Sequence, residues 1–115
     1  MLSIYHNPRC SKSRQTLALL EERGLTPEII KYLDTPPAPA ELKAVIGKLG
    51  ISPRELLRTG EAEYKELGLA DASLSNTALI NAMCQHPKLI ERPIVINDTR
   101  AKLGRPPEQV LDILA

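Results

Sequence analysis

An α/β fold, ordered strand–helix–strand, a block of helices, then strand–strand–helix, is what this chain predicts. Three observations predict it. A short β-rich run at Leu2, Ile4 and Tyr5 gives way, after the turn signal Asn7-Pro8, to helix-forming sequence from Thr16 to Arg23. The middle of the chain spaces its apolar residues for helices. Near the end, Pro93-Ile94-Val95-Ile96, Asn97-Asp98 and the stretch from Thr99 to Leu103 read as a β-hairpin.

Taken in order, the first helix offers Leu17 and Leu20 on one face, and Gly24 stops it. Pro27-Glu28-Ile29-Ile30-Lys31-Tyr32-Leu33 predicts a second strand. A strand, helix and strand in so short a span imply a right-handed parallel βαβ unit. Asp34-Thr35-Pro36-Pro37 then breaks the chain. Leu42, Val45, Ile46 and Leu49 recur at i, i+3, i+4 and i+7, which predicts an amphipathic helix ended by Gly50. Ser52-Pro53-Arg54-Glu55 is a capping box with proline at the first helical position, opening a short helix from Glu55 to Arg58. Ser75 caps a further helix that carries Leu79, Ile80 and Met83 and stops before Pro87. Pro106-Pro107-Glu108 opens a last helix with Val110, Leu111 and Leu114 inward. This is the order of a thioredoxin-like fold with a helical insertion. The prolines sit at element boundaries and are not gathered into a disordered tract.

With 115 residues the chain is expected to form one domain, 1–115, around one hydrophobic core. A net charge of +1 gives no general attraction to nucleic acid or to a membrane surface. Three tyrosines, with no Phe or Trp, leave no stacking platform for single-stranded nucleic acid. No apolar run is long enough to span a bilayer, and no signal-peptide pattern opens the chain. Two cysteines far apart then point to free thiols in a reducing cytoplasm.

The chemistry concentrates in Ile4-Tyr5-His6-Asn7-Pro8-Arg9-Cys10-Ser11-Lys12-Ser13-Arg14. Cys10 falls at or just before the first turn of a helix, where unsatisfied backbone N–H groups and the helix dipole favour an anion. Arg9, Lys12 and Arg14 add positive charge, so Cys10 is expected to ionise below an ordinary thiol. His6 either tunes that thiol, as a cation or a donor, or is a strand-end histidine bonded to backbone. Cys84 has Ile80 at i−4 and reads as a packed core thiol, with a resolving cysteine as the other reading. His86, before Pro87, reads as a helix C-terminal residue facing the dipole. Cys10-Ser11-Lys12-Ser13 lacks the second cysteine of a C-x-x-C, which argues against a dithiol oxidoreductase. A phosphatase-like C-x₅-R loop would need arginine at position 16, where Thr16 stands. The two cysteines and two histidines have no zinc-like spacing, so no metal is expected. No Gly-rich phosphate loop is present.

The run Tyr5 to Arg14 resembles the active-site loop of the glutaredoxin-coupled arsenate reductase (ArsC) family. So do Glu55-Leu56-Leu57-Arg58, Glu91-Arg92-Pro93-Ile94-Val95 and Gly104-Arg105-Pro106. The resemblance runs nearly end to end, and the chain stops just past its last helix, as in the shorter, chromosomally encoded branch. It implies a thioredoxin-like fold, arsenate reduction, glutathione as co-substrate, glutaredoxin as partner and no bound cofactor. Carried over, Cys10 is the nucleophile, and His6, Ser13 and Arg14 support its thiolate. Arg58, Arg92 and Arg105 bind the oxyanion, as suits an always-charged, bidentate side chain. Pro93 occupies the position of the fold's cis-proline. Two rivals remain: a glutathione-dependent thiol transferase acting on another substrate, and a regulatory binding module of the Spx type. Members of the latter generally carry the C-x-x-C that this loop lacks.

Overall fold

β1 (Leu2–Tyr5) is the strand around which the sheet is organised. In this computed structural model, which describes residues 2–114, it pairs in parallel with β2 (Glu28–Ile30) and antiparallel with β3 (Ile94–Asn97). β3 pairs antiparallel with β4 (Arg100–Leu103), giving the sheet order β2-β1-β3-β4. α1 (Ser11–Glu22) connects β1 to β2, and a 3₁₀ helix over Pro107–Ile113 follows β4. These elements form one of two units, made from the chain up to Thr35 and again from Arg92; Pro36–Glu91 forms the other. The first unit has the thioredoxin-like order βαβ…ββα. Its core gathers Ile4 and Val95 from neighbouring strands, Leu20 from α1, and Val110 and Ile113 from the 3₁₀ helix. Each such side chain contributes about 1.5–3 kcal/mol by leaving water.

The inserted unit is helical: α2 (Pro39–Leu49), α3 (Pro53–Leu56), α4 (Ala62–Glu66), α5 (Asn76–Gln85) and a 3₁₀ turn at Pro87–Leu89. The stripe of α2 buries Leu42, Val45 and Ile46, and α5 buries Leu79, Ile80 and Met83. Gly50 ends α2 in the left-handed conformation at φ 70°, where glycine carries no Cβ penalty. The capping box forms: Ser52 Oγ accepts from the Glu55 N–H at 3.3 Å, and Glu55 Oε1 accepts from the Ser52 N–H at 3.0 Å. Ser75 Oγ likewise accepts from the Ala78 N–H at 3.1 Å.

Several boundaries differ from expectation. β2 is cut to Glu28–Ile30 because the chain turns inward: the Tyr32 N–H donates to Ile30 O, and Tyr32, 1% exposed, stacks on Tyr5 at 6.1 Å. α3 starts at Pro53 and ends before Arg58, because Leu57 pairs across to Ile90 in an isolated bridge. The hairpin turns one residue later than expected, with Asp98 at φ 57° and Asn97 paired to Arg100. The last helix is 3₁₀. α4 buries no residue and is not among the expected elements, because its five residues present no apolar stripe.

Candidate active site

Strand register assembles the site. Tyr5, the last residue of β1, pairs with Ile94, the first of β3, and Ile94 pairs with Leu103, the last of β4. The chain therefore leaves β1 towards His6, enters β3 from Arg92-Pro93 and leaves β4 towards Gly104-Arg105, all at one end of the sheet. The Gly104 N–H donates to Pro93 O at 2.9 Å and locks two of these segments together. Arg92–Pro93 and Arg105–Pro106 are both cis peptides, and the Arg105 Nη1 donates to Arg92 O at 3.2 Å.

The loop after β1 is organised by Asn7, which is not among the residues that the sequence singles out. Its carbonyl accepts from the Cys10 N–H at 3.0 Å, its Oδ1 accepts from the Arg9 N–H at 3.0 Å, and its own N–H donates to Ser13 Oγ at 3.0 Å. An Asx turn of this kind is what asparagine forms most readily, so the side-chain type is itself the signal. Arg14 Nη1 donates to Pro8 O at 3.0 Å and braces the same loop.

Cys10 emerges as the N-cap residue of α1, in extended backbone with no side-chain capping bond. The Arg14 N–H donates to its carbonyl at 3.0 Å, the first bond of the helix. Burial of Cys10 opposes ionisation, and it is outweighed. The backbone N–H of Ser13, the charge of Arg92, the backbone N–H of Lys12 and the charge of Arg105 together hold the thiol below its ordinary pKa. Two of the arginines expected at the oxyanion thus act electrostatically on the sulfur. Arg58 lies in the inserted unit. There its Nη1 meets Glu61 at 3.3 Å, its Nε meets Glu91 at 3.7 Å, and its N–H donates to Leu89 O at 2.8 Å.

His6 is 7% exposed, and its Nδ1 lies 2.6 Å from Ser13 Oγ, which is fully buried. Burial first, then the charges of Lys31 and Arg14, hold the His6 pKa down against a smaller opposing effect of Glu21. The lowered pKa favours the neutral imidazole, and what that ring touches is the Ser13 hydroxyl. A histidine with a lowered folded pKa contributes stability that is complete above its ordinary value of 6.5 and lost as pH falls below it. The expected slope is at most about 1.4 kcal/mol per pH unit in that window. Urea unfolding at pH 7.5 and 5.5 checks this: His6→Gln should flatten the acid-side loss, and an unchanged slope would sink the assignment.

Cys84 is a half-buried thiol on α5 whose pKa is raised by burial and then by Glu41, the setting of an unreactive thiol. Thr16, fully buried, donates from Oγ1 to Lys12 O at 2.8 Å within α1 and lies against Gly104. Among the described residues no group of His, Cys, Asp and Glu is placed to hold a metal ion.

The ArsC family model matches residues 5–113. The chain is 58% identical to the uncharacterized protein YfgD of Escherichia coli strain K12, over 98% of this chain and 96% of that protein. It is 52% identical to an arsenate reductase of Neisseria meningitidis serogroup A, covering 98% and 97%. Among solved structures, an arsenate reductase from Vibrio cholerae superposes with a TM-score of 0.96 at 57% identity, covering 98% and 97%.

Proposed function

This chain belongs to the ArsC family, and we propose that its activity, the reduction of arsenate to arsenite, runs through the Cys10 thiolate with glutathione and glutaredoxin as electron donors. The observation that carries this reading is Cys10 at the head of α1, its pKa held below the ordinary thiol value by the Ser13 amide, Arg92, the Lys12 amide and Arg105 against the opposing effect of burial. Those groups serve two ends. They stabilise a nucleophilic sulfur, and guanidinium pairs also bind a tetrahedral oxyanion.

In the proposed sequence the Cys10 thiolate displaces one oxygen of arsenate, which leaves as water after protonation, and an S–As(V) bond forms. A glutathione thiolate then attacks the Cys10 sulfur. An S–S bond forms as S–As breaks, the electron pair stays on arsenic, and As(V) becomes As(III). The mixed disulfide is cleared by thiol exchange with glutaredoxin, which returns Cys10 as thiolate. Ser13 and His6 position the loop, and Arg14 braces it through Pro8 O. Arg58 is carried over from the family as an oxyanion ligand; an incoming anion must compete with Glu61 and Glu91 for it. Among the described residues no helix is long and apolar enough to cross a membrane, and a glutathione-dependent reaction belongs in a reducing cytoplasm.

The test is arsenate-dependent NADPH oxidation coupled through glutathione, glutathione reductase and glutaredoxin. Turnover that requires arsenate and both thiol components is expected. A competent assay with no turnover overturns the substrate.

A further inference from the structure

Asn7 carries no charge, yet Arg9, Cys10 and Ser13 are all bonded to it. It leaves the sheet directly after His6, whose N–H donates to Ile30 O at 2.9 Å and extends the β1–β2 ladder by one bond. The Asn7 carbonyl accepts from the Cys10 N–H at 3.0 Å and closes a turn over Asn7-Pro8-Arg9-Cys10, with asparagine and proline in their favoured first and second places. Its Oδ1 accepts from the Arg9 N–H at 3.0 Å inside that turn, and its own N–H donates to Ser13 Oγ at 3.0 Å. We propose that Asn7 is a positioning residue for the reaction at Cys10: tied to the Cys10 backbone on one side and to the Ser13 side chain on the other, it fixes the sulfur against the Lys12 and Ser13 amides. The proposal rests on the reading of Cys10 as the nucleophile and adds the residue that sets its geometry.

Three observations support it. The first is shared attachment. Cys10 is the N-cap of α1, and Ser13 is the third residue of that helix. In a capping box the third residue's side chain reaches back to the N–H of the cap itself. Here Ser13 Oγ takes the Asn7 N–H, and the Cys10 N–H goes to Asn7 O. The sulfur-bearing residue and the residue whose amide does most to favour the thiolate therefore hang from one residue. The second is closure. Ser13 is fully buried, and its Oγ also lies 2.6 Å from His6 Nδ1. That hydroxyl cannot swing away without leaving a buried polar group unpaired. The third is side-chain type. Any residue at position 7 could supply the two backbone bonds, but the Oδ1 bond needs a short side-chain acceptor. Pro8 fixes one torsion of the turn; the Oδ1 bond fixes the peptide that follows it, directly before Cys10.

The probe is iodoacetamide, which needs no arsenate. Peptide mass mapping gives the Cys10 alkylation rate across pH for wild type, Asn7→Ser and Asn7→Ala. Serine keeps an oxygen that closes the same turn more weakly, and alanine has none. The alkylation midpoint should rise in the order wild type, serine, alanine, and the alanine rate at pH 7 should fall by about fivefold, as loss of one hydrogen bond implies. Arg92 and Arg105 act on the sulfur in all three proteins, and His6 keeps its contact with Ser13, so the shift reads the amides. Arsenate kcat should follow the same order with KM unchanged. In wild type the Arg9 amide should be protected from hydrogen exchange, a readout that needs no variant. A freely exchanging Arg9 amide, a lowered wild-type midpoint that Asn7→Ala leaves in place, or a serine variant that behaves as alanine does, overturns the positioning role. An ordinary midpoint in wild type removes the thiolate reading and this proposal with it. Ordered midpoints without arsenate turnover keep the positioning role and lose the arsenate reading.

Discussion

Cys10→Ser is expected to abolish arsenate turnover, by at least about 10³-fold, while leaving the fold intact. Serine matches the shape of cysteine, but its hydroxyl stays protonated beside the same amides and arginines, so no nucleophile forms. The fold should tolerate the change because Cys10 is an N-cap position in extended backbone, which serine adopts readily. The pH dependence follows from the same cause. Cys10 has a lowered folded pKa, so its thiolate contributes stability that is complete above the ordinary thiol value and lost as pH falls through the folded value. In wild type, the iodoacetamide rate at Cys10 should reach half its plateau below the midpoint of an ordinary thiol. Arg92→Leu should move that midpoint up. Residual turnover in Cys10→Ser, or an ordinary midpoint in wild type, would remove Cys10 from the reaction.

Gly104→Ala is expected to destabilise the protein by about 1–3 kcal/mol and to slow Cys10 alkylation. A methyl group at Gly104 would collide with Thr16 Oγ1, and it would come within 2.8 Å of Pro93 Cγ and 3.1 Å of Thr16 Cγ2. None of these atoms can retreat easily. Thr16 is fully buried and bonded to Lys12 O, and Pro93 is a buried ring at the start of β3. The strain therefore falls on the early turns of α1 and on Arg105, both of which contribute to lowering the Cys10 pKa. Thr16→Ala removes both threonine contacts, so the double variant Gly104→Ala/Thr16→Ala should recover part of the lost stability. Chemical denaturation and alkylation rates of the three variants decide it. An additive double variant would show that the collision is relieved elsewhere.

How much of this fold and site is legible in the amino-acid sequence follows from the range of each interaction. Cys10 at a helix start, the stripe on α2 and the caps at Ser52 and Ser75 depend on residues within one or two turns, so the sequence displays them. Asn7, which ties Arg9, Cys10 and Ser13 together, is also local, but the pair Asn7-Pro8 reads as a boundary and hides that role. The lowered pKa of His6 is not legible: it needs burial and Lys31, twenty-five residues away. The tightness around Gly104 depends on pairing among β3, β4 and α1, and a lone glycine before Arg105 announces no such contact. The premature end of β2 is similar, since Tyr32 leaves the strand to meet Tyr5.

The position of Cys10 has a consequence for the helix itself. Most helices are begun by an oxygen that stays the same throughout the life of the protein. α1 is begun by Cys10, the proposed nucleophile, and the Lys12 and Ser13 amides are among the groups that lower its pKa. In the proposed reaction a bond to that sulfur discharges the thiolate, so each turnover would remove and then restore the anion at the head of α1. On that reaction the first turn of the helix would record the covalent state of the sulfur, and amide exchange at Lys12 and Ser13 should quicken whenever the sulfur is occupied.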